Sequence, residues 1–241
     1  MMERDQWIER AFATAGAGFF LLLLGFFSFR IFSYYRQIQK GEIDLSGLKF
    51  SATVVHASDL VDLVKTAPGT GELASKDDPS LGNPDAKVTV VEFADFGCSF
   101  SQQESYVVRA LAKEFPDTVR FIYRDFPLPD LHPGADLASA GGNCAMDQGK
   151  FWEFHDVLYA HPGEFTQDNL AGYAEDAGLE VNTFSSCLAS GRYQTEVAND
   201  QVDGVNAGVV GTPTFFINGS KVEGAIPYAI FKEALKAFTQ N

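Results

Sequence analysis

Val88 to Tyr106 reads V-T-V-V-E-F-A-D-F-G-C-S-F-S-Q-Q-E-S-Y. An apolar, β-branched run ends at Gly97, Cys98 follows at once, and a polar pattern with helical spacing begins. Cys98 is therefore expected where a strand hands over to a helix N-terminus. Unpaired N–H groups of a first helical turn carry partial positive charge, and a sulfur anion is favoured in such a field. That makes Cys98 a candidate nucleophile. The competing reading, a buried inert thiol, fits poorly with a cysteine directly after Phe96-Gly97 at a helix start. One turn further on stands Ser101.

Working outward, Lys87 to Phe93 reads as a buried strand and Ser101 to Phe115 as a helix, with Val107, Val108, Leu111 and Phe115 at helical spacing. Val119 to Phe126 is a second strand, stopped by Pro127 and Pro129. Strand, helix and strand in this compass form a βαβ unit, so the two strands are expected parallel with a right-handed crossover. Strand patterns then stop, which points to a helical insertion. Candidate helices are Ala135 to Asp147, Lys150 to Ala160, Asp168 to Ala177 capped by Thr166, Thr183 to Ala189 capped by Asn182, and Tyr193 to Asn206. Near the end, Thr214 to Ile217 and Ser220 to Glu223 flank Asn218-Gly219, a two-residue type I′ hairpin signal, and Tyr228 to Phe238 closes as an amphipathic helix.

At the other end, residues 11–29 lie between Arg10 and Arg30 without a charge, A-F-A-T-A-G-A-G-F-F-L-L-L-L-G-F-F-S-F. That length suits a helix spanning a bilayer core. Trp7 on one side and Tyr34 with Tyr35 on the other suit interfacial belts. A cleaved signal peptide would carry a shorter apolar core ending in small residues, whereas this one ends in Phe29-Arg30-Ile31-Phe32. The expected organisation is an N-terminal flank at 1–10, a transmembrane anchor at 11–32, a Gly/Pro/Ser/Asp-rich juxtamembrane linker at 33–77 and one domain at 78–241, with the helical insertion at about 131–206.

The net charge is −14, and from Ala74 onward 11 Lys and Arg face 24 Asp and Glu, so nearly all the acidity belongs to the C-terminal part. Nucleic acid is a poor partner for such a surface. The three cysteines lack close Cys/His pairs at ligand spacing, so neither a metal site nor a cofactor is expected. His132, His155 and His161 are read as surface or packing residues, and Phe151, Trp152, Phe154 and Phe184 as core.

A βαβ half, a helical insertion, and a ββα half preceded by Gly211-Thr212-Pro213-Thr214 resemble the thioredoxin fold of DsbA-like disulfide oxidoreductases. The most specific pieces are D-F-G-C-S-F-S, F-I-Y-R-D-F-P-L, Q-G-K-F-W-E-F-H-D and G-V-V-G-T-P-T-F-F-I-N-G, and the resemblance covers roughly residues 78–238. It implies an α/β, thioredoxin-like fold with a helical insertion, preceded here by one transmembrane helix. Periodicity alone reaches only an α+β domain with a parallel pair and a hairpin.

The resemblance implies roles as well. Cys98 matches the family's attacking cysteine. Ser101 stands where C-x-x-C motifs place the resolving cysteine, and a hydroxyl cannot attack a mixed disulfide. Ser101 remains a candidate hydrogen-bond donor to the Cys98 sulfur, with Ser99 a second donor and Phe100 between them. Pro213 matches the family's cis-proline, with Thr212 before it presenting backbone to an extended substrate; without the resemblance, a trans proline opening a strand is the commoner use. Glu92, six residues before Cys98, matches a buried acid that shuttles a proton, with Arg124 a candidate partner; a solvated edge-strand glutamate is the alternative. Relatives with a second, structural disulfide favour pairing Cys144 with Cys187, and the rival is that one of these resolves Cys98.

Two functions are compatible with this pattern. One is a membrane-anchored, extracytoplasmic thiol-disulfide exchange protein using Cys98 alone on exported polypeptides or low-molecular-weight thiols, with a membrane redox partner for recycling. The other is a non-catalytic peptide-binding or chaperone-like module. The charges flanking the anchor nearly tie, so sidedness rests on the chemistry: disulfide exchange belongs outside the cytosol.

Overall fold

The computed structural model describes residues 57–65, 73–75 and 77–239. The expected flank at 1–10 and anchor at 11–32 lie outside these residues. Among the described residues no helix is long and apolar enough to cross a membrane.

Five strands form one sheet: β1 (Ser80–Gly82), β2 (Val88–Ala94), β3 (Val119–Asp125), β4 (Thr214–Ile217) and β5 (Ser220–Glu223), in the order β1-β3-β2-β4-β5. Only β2 and β3 run parallel, from Val88 opposite Val119 to Ala94 opposite Asp125. Helix α2 (Ser99–Glu114) makes the crossover between them; α1 (Ala57–Lys65) precedes the sheet. Both central strands are buried along nearly their whole length, which is why they read as continuous apolar runs rather than alternating ones.

Two layers cover the sheet. Val90, Val108, Leu111, Phe121, Phe215, Phe231 and Leu235 pack under α2 and α8 (Tyr228–Thr239). Val91, Phe93, Ile122 and Phe216 face the other way, against Phe126 and Val209. The insertion comprises α3 (Ala135–Met146), α4 (Phe151–Ala160), α5 (Gln167–Asp176), α6 (Val181–Ser190) and α7 (Gln194–Asn206). It has its own core, including Phe154, Leu158, Leu170, Phe184 and Leu188. Cys144 on α3 and Cys187 on α6 are joined by a disulfide across this core, their Cα atoms 5.9 Å apart.

At the hairpin, Asn218 and Gly219 both take positive φ (47° and 93°), the geometry a type I′ turn demands. Asn218 also serves the neighbouring strand: its Oδ1 accepts from Thr89 N–H at 2.8 Å.

The structure departs from the sequence reading at three places. The stretch expected as a linker contains α1, whose Leu60 is wholly buried in the layer with Phe231 and Leu235. A nine-residue helix has little stability of its own, so docking of its apolar side is what holds it. Strand β1 is also absent from the elements expected, because three residues, Ser-Leu-Gly, show no periodicity; backbone pairing to the β3 edge makes it a strand. Finally, α6 starts at Val181, two residues before its expected start at Thr183, with Glu180 rather than Asn182 at the N-cap. Thr166 does cap α5, its Oγ1 accepting from Asn169 N–H at 3.2 Å.

A buried ion cluster ties the chain ahead of β1 to α7. Arg124 of β3 pairs with Asp78 at 3.4 Å, with Asp203 at 2.9 Å and with Asp200. It also donates to the Leu73 carbonyl at 3.2 Å. Asp78 in turn accepts from Ser75 N–H at 2.7 Å.

Candidate active site

Cys98 is the N-cap of α2, its backbone extended at φ −82° and ψ 124°. Asp95 puts it there. The Asp95 carbonyl accepts from Cys98 N–H at 3.0 Å and its Oδ1 accepts from Gly97 N–H at 2.7 Å, turning the chain sharply out of β2. Gly97 is required because a Cβ there would lie 2.4 Å from the Cβ of His132. No side chain caps α2, so the first-turn amides have no capping acceptor and their partial charge forms the local field at the sulfur.

Cys98 is a free thiol, 7% exposed, and its Sγ donates to the Thr212 carbonyl at 3.3 Å. The Thr212–Pro213 peptide is cis and Pro213 is buried. Helix start and proline loop, 114 residues apart in the chain, thus meet at the sulfur. Ser99 and Phe100, directly after Cys98, are exposed, as are Leu131 and Val210 on the two loops that approach it.

Ser101 does not donate to Cys98. It is wholly buried, and its Oγ accepts from Asp95 N–H at 3.4 Å. That buried N–H needs an acceptor, and the Ser101 hydroxyl oxygen supplies it.

Glu92 sits on the central strand opposite Tyr123 and Phe215, 4% exposed. Burial holds its carboxyl well above the usual range, and the nearby Glu104 raises it further. Glu104, reaching in from α2, is pushed up to about 8 by burial. The Ile226 N–H offsets part of that, although neither Glu104 oxygen makes a hydrogen bond of ordinary geometry. Arg124 is not the partner of Glu92. In the β2–β3 register it lies opposite Phe93, one residue out of step, so the strand alternation sends it to the other face and into the Asp78–Asp200–Asp203 cluster. A second buried acid, Glu104, was missed because its place in a polar helical stretch gives no sign of burial.

The histidines divide. His155 is buried among Phe96, Tyr123, Phe151, Trp152 and Tyr159, and burial pushes its pKa down. His161 stacks on Tyr173 with ring centroids 4.6 Å apart. His132, read from sequence as surface or packing, instead bonds through Nδ1 to Asp95 Oδ2 at 2.7 Å. No local spacing connects these two; the fold brings them together across 37 residues.

Residues 74–237 match the family model described as thioredoxin. The chain belongs to the thioredoxin family. Within it, the fold is shared with DsbA-like proteins. A thioredoxin-like oxidoreductase from Silicibacter pomeroyi superposes with a TM-score of 0.62 at 27% identity, covering 70% of this chain and 96% of that one. Oxidised BdbD from Bacillus subtilis gives 0.63 at 23% identity, covering 70% and 96%. The thiol-disulfide exchange protein alpha-DsbA2 from Wolbachia pipientis gives 0.61 at 21%, covering 75% and 92%. Among curated proteins, a Na(+)/H(+) antiporter NhaA 1 of Salinispora arenicola is 43% identical over 145 residues, 60% of this chain and 22% of that protein. The chain thus spans under a quarter of that relative.

Proposed function

We propose that this thioredoxin-family domain carries out thiol-disulfide exchange through Cys98 alone, and that an external thiol completes each turnover. One observation carries the reading: a single free thiol stands at the N-cap of α2 against the Thr212–Pro213 cis peptide, with a buried serine at the resolving position. In the first step the Cys98 thiolate attacks a disulfide R–S–S–R, forming Cys98–S–S–R and releasing R–S⁻. Glu92 and Glu104, buried and proton-retaining, form an acid pair in the sheet layer beneath α2. Ser99, Phe100, Thr212 and Pro213 border the place where the attacked disulfide lies. Its substrates are cysteine-containing exported polypeptides or low-molecular-weight disulfides, and a membrane redox partner recycles it. The apolar segment at 11–29 anchors the domain to the cell membrane on the extracytoplasmic side. Ion antiport is not carried over from the NhaA relatives, of which the match covers too small a part.

A second reading has its own support. Phe100 on α2 and Leu131 and Val210 on the loops that carry His132 and Thr212 are exposed apolar side chains, and the sulfur is nearly covered, a combination that suits holding a peptide without reacting with it.

Intact-mass analysis after incubation with oxidised glutathione separates the two. The exchange reading expects one glutathione adduct on the native protein, absent in Cys98→Ala. The peptide-binding reading expects none until the protein is denatured.

A further inference from the structure

We propose that His132, oriented by Asp95, is the proton acceptor for the external thiol that completes the exchange Ser101 cannot. The inference rests on the single-cysteine reading above.

Asp95 is wholly buried and accepts three donors from the active-site loops. Its Oδ1 takes Gly97 N–H, and its Oδ2 takes Leu128 N–H at 2.9 Å together with His132 Nδ1 at 2.7 Å. Against an oxygen that already accepts a backbone amide, the tautomer that donates from Nδ1 is the one that fits, and in the neutral ring that tautomer carries its lone pair on Nε2. The imidazole packs on the residue immediately before the nucleophile: a Cβ at Gly97 would lie 2.8 Å from His132 Cγ. His132 is also 26% exposed, so an incoming thiol can reach it. The other proton acceptors of the region fail one of these conditions. Glu92 and Glu104 are sealed in the sheet layer, His155 is enclosed by aromatic rings, and Asp95 has its oxygens occupied.

Starting from Cys98–S–S–R, an external thiol R′–SH gives its proton to His132 Nε2, and R′–S⁻ attacks the sulfur of R. An R′–S–S–R bond forms, the bond to Cys98 breaks, and both its electrons leave on Cys98 Sγ. The proton on Nε2 then passes to Sγ, restoring the thiol. The disulfide bond is transferred, with R′–SH as the only co-reactant.

The test uses the full chain carrying a preformed Cys98–glutathione adduct and follows release by mass, in wild type, His132→Ala and His132→Asn. Asparagine keeps an N–H donor for Asp95 but offers no basic nitrogen, so it preserves a purely structural bond. With dithiothreitol as R′–SH, both variants are expected to release glutathione roughly a hundredfold more slowly than wild type. With an excess of 4-mercaptophenylacetate, an aryl thiol already largely ionised at neutral pH, all three should release at the same rate. Release from His132→Asn at the wild-type rate with dithiothreitol would overturn the proposal and leave His132 a structural residue. Equal slowing with both thiols would overturn it too, marking a distorted site. Failure of wild type to form the adduct at all would instead remove the single-cysteine reading itself, and the proposal with it.

Discussion

The Cys98 sulfur donates to the carbonyl of Thr212 at 3.3 Å, so in the free protein the nucleophile occupies the backbone acceptor beside Pro213. Once the sulfur is bonded to a second sulfur it has no hydrogen to donate, and that carbonyl becomes free for an extended substrate. The carbonyl ¹³C resonance of Thr212 should therefore move in the same direction on glutathionylation and in Cys98→Ala. Opposite movements, or none, would show that the contact does not persist in solution.

Glu104 makes stability depend on pH. Its folded carboxyl holds its proton up to about 8, whereas the unfolded chain releases it near the ordinary 4.5. The folded state binds the extra proton between these values, so stability is complete below the lower one and declines as pH rises towards the upper. Asp125, pushed up to about 7 by burial and then by the charge of Asp200, acts in the same direction. Glu104→Gln should flatten the decline and stabilise the protein at pH 8 by an amount on the order of a few kcal/mol. Denaturant unfolding across pH 5 to 8 measures it, and a wild-type stability that rises over that range would contradict the assignment.

Arg124 is 3% exposed and compensates several acids at once. Removing it leaves Asp78 and Asp200 buried without their cation, and such uncompensated charge costs about 3–5 kcal/mol. Arg124→Met should lose stability on that scale, and lose less at low pH where the acids can protonate. Substitution of the Asp156 partner Arg109, an exposed pair, should cost under about 1 kcal/mol by the same denaturant assay.

The Cys144–Cys187 disulfide closes 43 residues of the insertion. By the chain-entropy argument it contributes about 3–4 kcal/mol. The Cys144→Ala, Cys187→Ala double variant should unfold at correspondingly lower denaturant while still forming the Cys98 adduct. Loss of the adduct in a folded double variant would mean that these cysteines take part in the exchange.

Much of this fold is written locally. The β2–α2–β3 unit, the Asn218-Gly219 turn and most helices follow from apolar period and turn chemistry, and their observed bounds differ from expectation by a residue or two. What was not legible depends on tertiary partners. Leu60 looks like a residue in a tether until α8 covers it, Ser80–Gly82 is a strand only by virtue of its neighbour, and Arg124 turns away from Glu92 because of a one-residue register. At the site, Cys98 is announced by its own neighbours, whereas the Asp95–His132 bond joins two loops that no spacing relates.

The central claim is that Cys98 begins an exchange that Ser101 cannot finish. It is tested most directly by following the glutathione adduct over time in wild type and in Ser101→Cys, with mass and peptide mapping as readout. The wild-type adduct should persist until an external thiol is added, while the Ser101→Cys adduct should expel glutathione and close an internal disulfide to Cys98. A wild-type adduct that clears unaided, leaving Cys98 linked to Cys144 or Cys187, would contradict it.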